Sequence, residues 1–289
     1  MPLGSGLACL DDYPFEVRYS DGALVRARAA ADLAADAYVY LGRLFSNAEP
    51  DIAIIVVDET DWESRQPYGL PYFNNGDDQI RPGILVMAAG SGEFWVGIAD
   101  DLREASPRGY PRLLATYGDG SGGLDLQPFF ELVTIHELAH AFQWLGDLRL
   151  PTSWLGEVFA NLALHAFVAT RRPEKLNTLE TLPTVGSQSR RLAARMRAEG
   201  YTTLEDLEVH YPGGEQPMNP LNYVWYQHRW QRLAAKMFEA DGEDGLARLW
   251  RCFHASDRFS PGTVTTASLA ALLRKEVSPT LGRAVMNWR

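Results

Sequence analysis

Cysteine is scarce in this chain: Cys9 and Cys252 are the only two in 289 residues, far apart and outside any CxxC spacing. That pattern gives no disulfide framework, and two unrelated thiols are expected. Positive charge is short as well. Lys and Arg number 27 against 37 Asp and Glu, a formal charge of −10. A nucleic-acid partner would demand a basic face, so none is expected. Arg171-Arg172 and Arg190-Arg191 are too brief to supply one and read as solvated helix surface. No apolar run approaches the roughly 20 residues that span a bilayer. Met1 to Asp12 shows neither a basic n-region nor an apolar h-region. A soluble cytoplasmic protein without a membrane partner is therefore expected. Internal repeats and disordered composition are also lacking.

Core material is plentiful. Hydrophobic residues make up 46% of the chain, with 8 Trp, 12 Tyr and 12 Phe, enough for one or two domains. Phe15 to Ser20 alternates apolar and polar, as a half-buried strand does, and Asp21-Gly22 turns the chain. Ala23 to Phe45 has the Ala, Leu and Arg spacing of a long amphipathic helix. Ile52 to Val57 reads as a buried strand, and Thr60 with Glu63 has capping-box spacing. Turns at Asn74-Asn75-Gly76 and Pro82-Gly83 precede another strand, Ile84 to Ala89. After a Gly-rich loop from Gly118 to Gly123, Pro128 to Leu145 reads as a helix, apolar nearly all round. A second helix is expected from Thr152 or Ser153 to Ala169. Beyond Pro173 further helices are expected near Ser187–Glu199, Pro220–Ala240, Glu243–Ala255 and Thr266–Trp288. Strands crowd the first third and helices fill the rest, which predicts an α+β fold. The expected division is an N-terminal α+β lobe, 1–146, and a helical lobe, 147–289.

Inside the buried helix lies His136-Glu137-Leu138-Ala139-His140, an HExxH motif. Residues four apart share a helical face, so both imidazoles can reach one ion from one rigid rod. Glu137, offset by one position, stands beside that ion, where a general base must be. Catalytic zinc needs a third protein ligand and one open position. The longer HExxHxxGxxH pattern fails, because Gln143 stands where its Gly would be and Gly146 where its last His would be. Glu157, early in the next helix, is the expected third ligand, with Asp147 on the connecting loop as its competitor. Asn161, one turn after Glu157, is expected to accept a hydrogen bond from a ligating histidine's second N–H. The expected cofactor is Zn2+.

These residues resemble a known group. HELAH, then Leu150-Pro151, then Trp154-Leu155-Gly156-Glu157, is similar to the gluzincin branch of the zincin-like metallopeptidases, many of which read HExxH, a spacer, then P-x-W-L-x-E-G-x-A. The resemblance is specific from Val133 to Asn161 and extends through the strand and helix order ahead of it. It implies His136, His140 and Glu157 as zinc ligands, Glu137 as base, and a zincin-like fold: a small twisted sheet with helices, then a mainly helical lobe. It further implies that Ile84, Leu85, Val86, Met87, Ala88 and Ala89 form an edge strand pairing with an extended peptide. A Tyr or His opposite the glutamate would steady the oxyanion. The candidates, in order, are Tyr226, Tyr223 and His228.

Two positions depart from the pattern: Val158 replaces the Gly after the third ligand, and Asn161 stands where several members have Asp. The aminopeptidase GxMEN strand is absent, so exopeptidase action is not claimed, and endo- and exopeptidase action both stay open. The expected activity is zinc-dependent hydrolysis of a peptide or protein substrate. Zinc or partner binding without turnover, and hydrolysis of a non-peptide bond, stay open as alternatives. His165 reads as a packed core histidine, and His210 and His254 have no partners at ligand spacing. Asp119 and Asp125 flank a loop that could hold calcium, and Glu93 could meet a substrate amine.

Overall fold

Apolar residues, with one glycine, fill two six-residue segments, Ile52–Val57 and Gly83–Ala88, and every position in both is buried. A strand apolar on both faces must be covered on both, the usual condition of parallel strands inside a layered fold. The computed structural model describes residues 6–62, 68–75, 82–211, 218–256 and 264–288. Strands β1 (Ala8–Leu10), β2 (Glu16–Tyr19), β3 (Ile52–Val57), β4 (Tyr72–Asn74) and β5 (Gly83–Ala88) form one sheet in the order β1-β2-β3-β5-β4. The inner pairings, β2 with β3 and β3 with β5, are parallel, with Ile54 beside Leu85. The outer pairings are antiparallel.

This register corrects one expectation. Ile84–Ala89 is not an edge strand: Ile84, Leu85 and Val86 pair with β3 on one side and with Asn74, Phe73 and Tyr72 on the other. Among the described residues the edge on this side of the sheet is β4, a three-residue strand just ahead of Asn75, too short for alternation to reveal. Side chains alternate across the sheet. Ile55, Val57, Ile84 and Val86 line one face, with Leu7, Trp62 and Tyr72 packed against them.

Helices α1 (Leu24–Leu44), α2 (Glu93–Ala105), α3 (Tyr110–Tyr117) and α4 (Gln127–Leu145) follow in chain order. Helix α1 buries Ala27, Ala30, Ala31, Ala34 and Ala37, small residues that let it lie close to its neighbours. Against it stands α4, joined by the Arg26–Glu131 ion pair and by Phe142, whose ring meets those of Tyr38 and Phe45. Pro128 sits in the first turn of α4, where a missing N–H costs little. Next come α5 (Ser153–Arg171), α6 (Leu176–Gln188), α7 (Arg190–Glu199), α8 (Leu204–His210), α9 (Pro220–Phe253), α10 (Thr266–Leu272) and α11 (Pro279–Met286). Eleven helices and a five-stranded mixed sheet among the described residues make the protein α+β and mostly helical. The chain divides into two units, one of Met1–Asp101 with Tyr117–Asp147, the other of Leu102–Thr116 with Leu148–Arg289.

In the second unit α5 is buried continuously from Trp154 to Val168, so it is the central rod. Helix α9 packs along it, with the Phe159 and Trp250 rings 6.2 Å apart. The helices expected at Pro220–Ala240 and Glu243–Ala255 are one run broken at Gly242, whose φ of 58° and ψ of −150° are non-helical. The segment expected as Ser187–Glu199 ends one helix and begins another. Ser189 separates them and accepts the Leu192 N–H as the cap of α7. Thr266–Trp288 is likewise divided, by a π-helical turn at Leu273–Val277 and by Ser278, which caps α11. The Thr60–Glu63 capping box falls partly outside the described residues. No helix among those described is long and apolar enough to cross a membrane.

Candidate metal centre

Helix α4 has no polar face wide enough to carry two imidazoles and a carboxylate into water, so the helix takes them inward. His136 and Glu137 are buried at 6% and 8% exposure, and His140 is half-buried. Their four-residue spacing sets the Nε2 atoms of His136 and His140 3.1 Å apart, with the rings nearly perpendicular at 79°. Two nitrogens on one tetrahedral zinc stand about 3.3 Å apart, given Zn–N bonds of about 2.0–2.1 Å. The pair therefore has the spacing of ligands to a shared ion.

Gln143 adds what the motif alone did not announce. Its Oε1 lies 3.1 Å from Nδ1 of His140. An amide oxygen accepts, so it favours the tautomer with the proton on Nδ1 and leaves the Nε2 lone pair bare for a metal. Sequence reading used Gln143 only to exclude the longer motif. Its position three residues after His140, about one helical turn, was the signal that could have found it.

Glu157 lies in the first turns of α5 at 1% exposure. A buried carboxylate is costly unless its oxygens are satisfied. Tyr211, just past α8, donates its hydroxyl to Oε1, and Gln227 on α9 donates Nε2 to Oε2 at 2.6 Å. Asn161 donates its amide to the Glu157 carbonyl and to Gln227 Oε1, both at 2.8 Å. Asn161 thus serves Glu157, while Gln143 takes the histidine-orienting part expected of it. Val158 turns into the core at 1% exposure.

Among the described residues, His136, His140 and Glu157 are the one group of three His, Cys, Asp or Glu side chains placed to share an ion, with ligand atoms within 4.8 Å of one another. Two imidazole nitrogens and one carboxylate oxygen are a donor set that zinc accepts. No family model and no curated protein matches this chain. Asp147, the competing ligand, is outside that group and holds a left-handed backbone at φ 58°.

Tyr226 is a correction. It is fully buried, its hydroxyl donates to the Thr203 carbonyl at 2.7 Å, and its ring stacks on Trp288. Burial pushes its hydroxyl pKa well above the ordinary value. Gln227, the next residue, faces Glu157, and one residue is a turn of about 100° around a helix, which sends Tyr226 elsewhere. Tyr223, one turn before Gln227, shares its face, and its hydroxyl accepts from Gln227 Nε2 at 2.7 Å. The phenols joined to the Glu157 network are thus Tyr211 and Tyr223. His228 is buried against Gly186, and burial lowers its pKa to about 4.

The minor candidates have structural employment. His165 is buried on α5 with its pKa lowered to about 4 by burial, its ring against Phe238. Asp119 accepts from the Ser121 hydroxyl and from the Ser121 and Gly123 N–H groups, so it organises its own loop. Asp125 accepts the Gln127 N–H at the start of α4. Glu93 opens α2, where a carboxylate suits the N-terminal end. His254 stacks on Trp250, and the His210 ring meets Tyr201.

Proposed function

We propose that this chain is a zinc-dependent hydrolase of the zincin-like fold, a gluzincin-type metallopeptidase acting on peptide or protein substrates. The observation that carries the reading is the grouping of His136, His140 and Glu157 with Glu137 at the adjoining position of the same helix. Those three residues would hold the metal. Zinc there would supply Lewis acidity, polarising a carbonyl and lowering the pKa of water to about 7.

The chain's own residues supply the proton traffic. Glu137 takes the proton of the attacking water and passes it to the leaving amine. His140 is kept in its metal-binding tautomer by Gln143. An extended substrate would add beside β4, the end strand next to β5, since Ile84–Val86 have partners on both sides.

The test is Glu137→Gln. Zinc content should stay at the parent level while peptide hydrolysis falls by about 10²–10⁴-fold, the usual contribution of a general base. Unchanged hydrolysis in that variant would exclude Glu137 as the base.

A further inference from the structure

A carboxylate can only accept hydrogen bonds, and this fixes the direction of every bond in a chain of amides beside Glu157. Gln227 must present Nε2 to Glu157 Oε2, at 2.6 Å. Its Oε1 then faces Asn161 and must accept, so Asn161 presents Nδ2 at 2.8 Å. The second proton on Asn161 Nδ2 goes to the Glu157 carbonyl, one turn back on α5. The second proton on Gln227 Nε2 goes to the Tyr223 hydroxyl oxygen. All four amide protons of the two side chains are assigned, with no ambiguity about which way either amide is turned. Asn161 and Glu157 are buried, at 4% and 1% exposure, so water is a poor substitute for these partners.

We infer that Gln227 is the positioning residue for the third metal ligand, and that Asn161 sets the direction of its amide. This inference rests on the metal-site reading above. With Gln227 on Oε2 and Tyr211 on Oε1, the carboxylate is held from both oxygens and cannot rotate freely about its terminal bond. Preorganising a ligand in this way raises metal affinity, because less freedom is lost when the ion binds. It also gives the asparagine at 161 a chemical purpose. Aspartate there is nearly the same shape but only accepts. It would turn the Gln227 amide round and aim an oxygen at the carboxylate.

The experiment is a zinc titration against a chromophoric chelator on the full chain, for the parent and for Gln227→Met, which keeps the length and removes the donor. Cobalt(II) spectra of both proteins report the coordination geometry, and circular dichroism reports the fold. The expected result is a 10–100-fold weaker zinc affinity for Gln227→Met, with shifted cobalt bands and an unchanged fold. Parent-like affinity and spectrum in a folded Gln227→Met would overturn the positioning role and leave the metal site standing. No zinc binding by the parent would overturn both. If Gln227→Met does not fold, Asn161→Ala decides. A loss of about tenfold supports the relay, and parent-like affinity overturns it.

Discussion

Two histidines outside the His136, His140 and Glu157 group show what burial does to an imidazole. His165 and His228 both have pKa values lowered to about 4 by desolvation. The unfolded chain has ordinary histidines near 6.5, so it binds these protons first as acid is added. Their neutral burial leaves stability intact above pH 6.5 and erodes it as the pH falls from 6.5 towards 4, by on the order of 3 kcal/mol for each residue. Chemical denaturation at pH 7.0, 5.5 and 4.5 measures this. The parent should lose stability over that window, and His228→Leu should lose less. Equal slopes for the two would show that His228 is not a buried neutral group.

Gly186 belongs to the same contact. A Cβ at that position would lie 2.0 Å from Nδ1 of His228, inside any tolerable separation. Gly186→Ala should therefore destabilise by about 1–3 kcal/mol, the usual cost of overpacking. A His228→Ala change in the same chain should recover much of the loss, because the two residues share one space. Thermal unfolding of the single and double variants distinguishes this from a helix-propensity effect, under which Gly186→Ala would stabilise.

Among the elements, those carrying a periodic signal were legible and those set by tertiary packing were not. Helix α1, strands β3 and β5, and helices α4 and α5 emerge within a residue or two of their expected bounds, because each is long or uniformly apolar. Strands β1 and β4 have three residues apiece, below the length at which alternation can be read. Helix α6 carries Pro183 in its interior, a residue that argues against helix and yet is buried there. Placing β4 beside β5 is a long-range pairing, and missing it led to the wrong edge strand. Gly242 falls in the gap expected between Ala240 and Glu243, and α9 breaks there. Its backbone lies in a region that only glycine occupies readily, and a Cβ there would meet nothing within 4 Å. Gly242→Ala should cost about 1–3 kcal/mol through conformation alone, measured by denaturant midpoint. A neutral result would mean that α9 can straighten.

Across the whole molecule, the local motif was visible in sequence and its support was not. HExxH and Glu157 follow from spacing, since a helix repeats its face every three to four residues. The residues that orient them come from elsewhere. Tyr211 lies 54 residues after Glu157 and Gln227 lies 70 after it, separations that no local pattern can bridge. Helical context puts Tyr226 ahead of Tyr223 and His228, though only the packed helix decides which aromatic turns towards α5. Metal binding should also appear as stability. A ligand that binds only the folded chain adds about 2.7 kcal/mol at a hundred times its dissociation constant. Chelation should accordingly lower the thermal midpoint, and zinc should restore it. A midpoint indifferent to both would mean that the folded chain gains nothing from the ion.

The central claim is that His136, His140 and Glu157 hold one zinc together. Elemental analysis of the parent beside Glu157→Ala and His136→Ala, each equilibrated with limiting zinc and desalted, tests it most directly. The account predicts one zinc per parent chain and little in either folded variant. A metal-free parent, or a Glu157→Ala chain that keeps its full zinc, would contradict it.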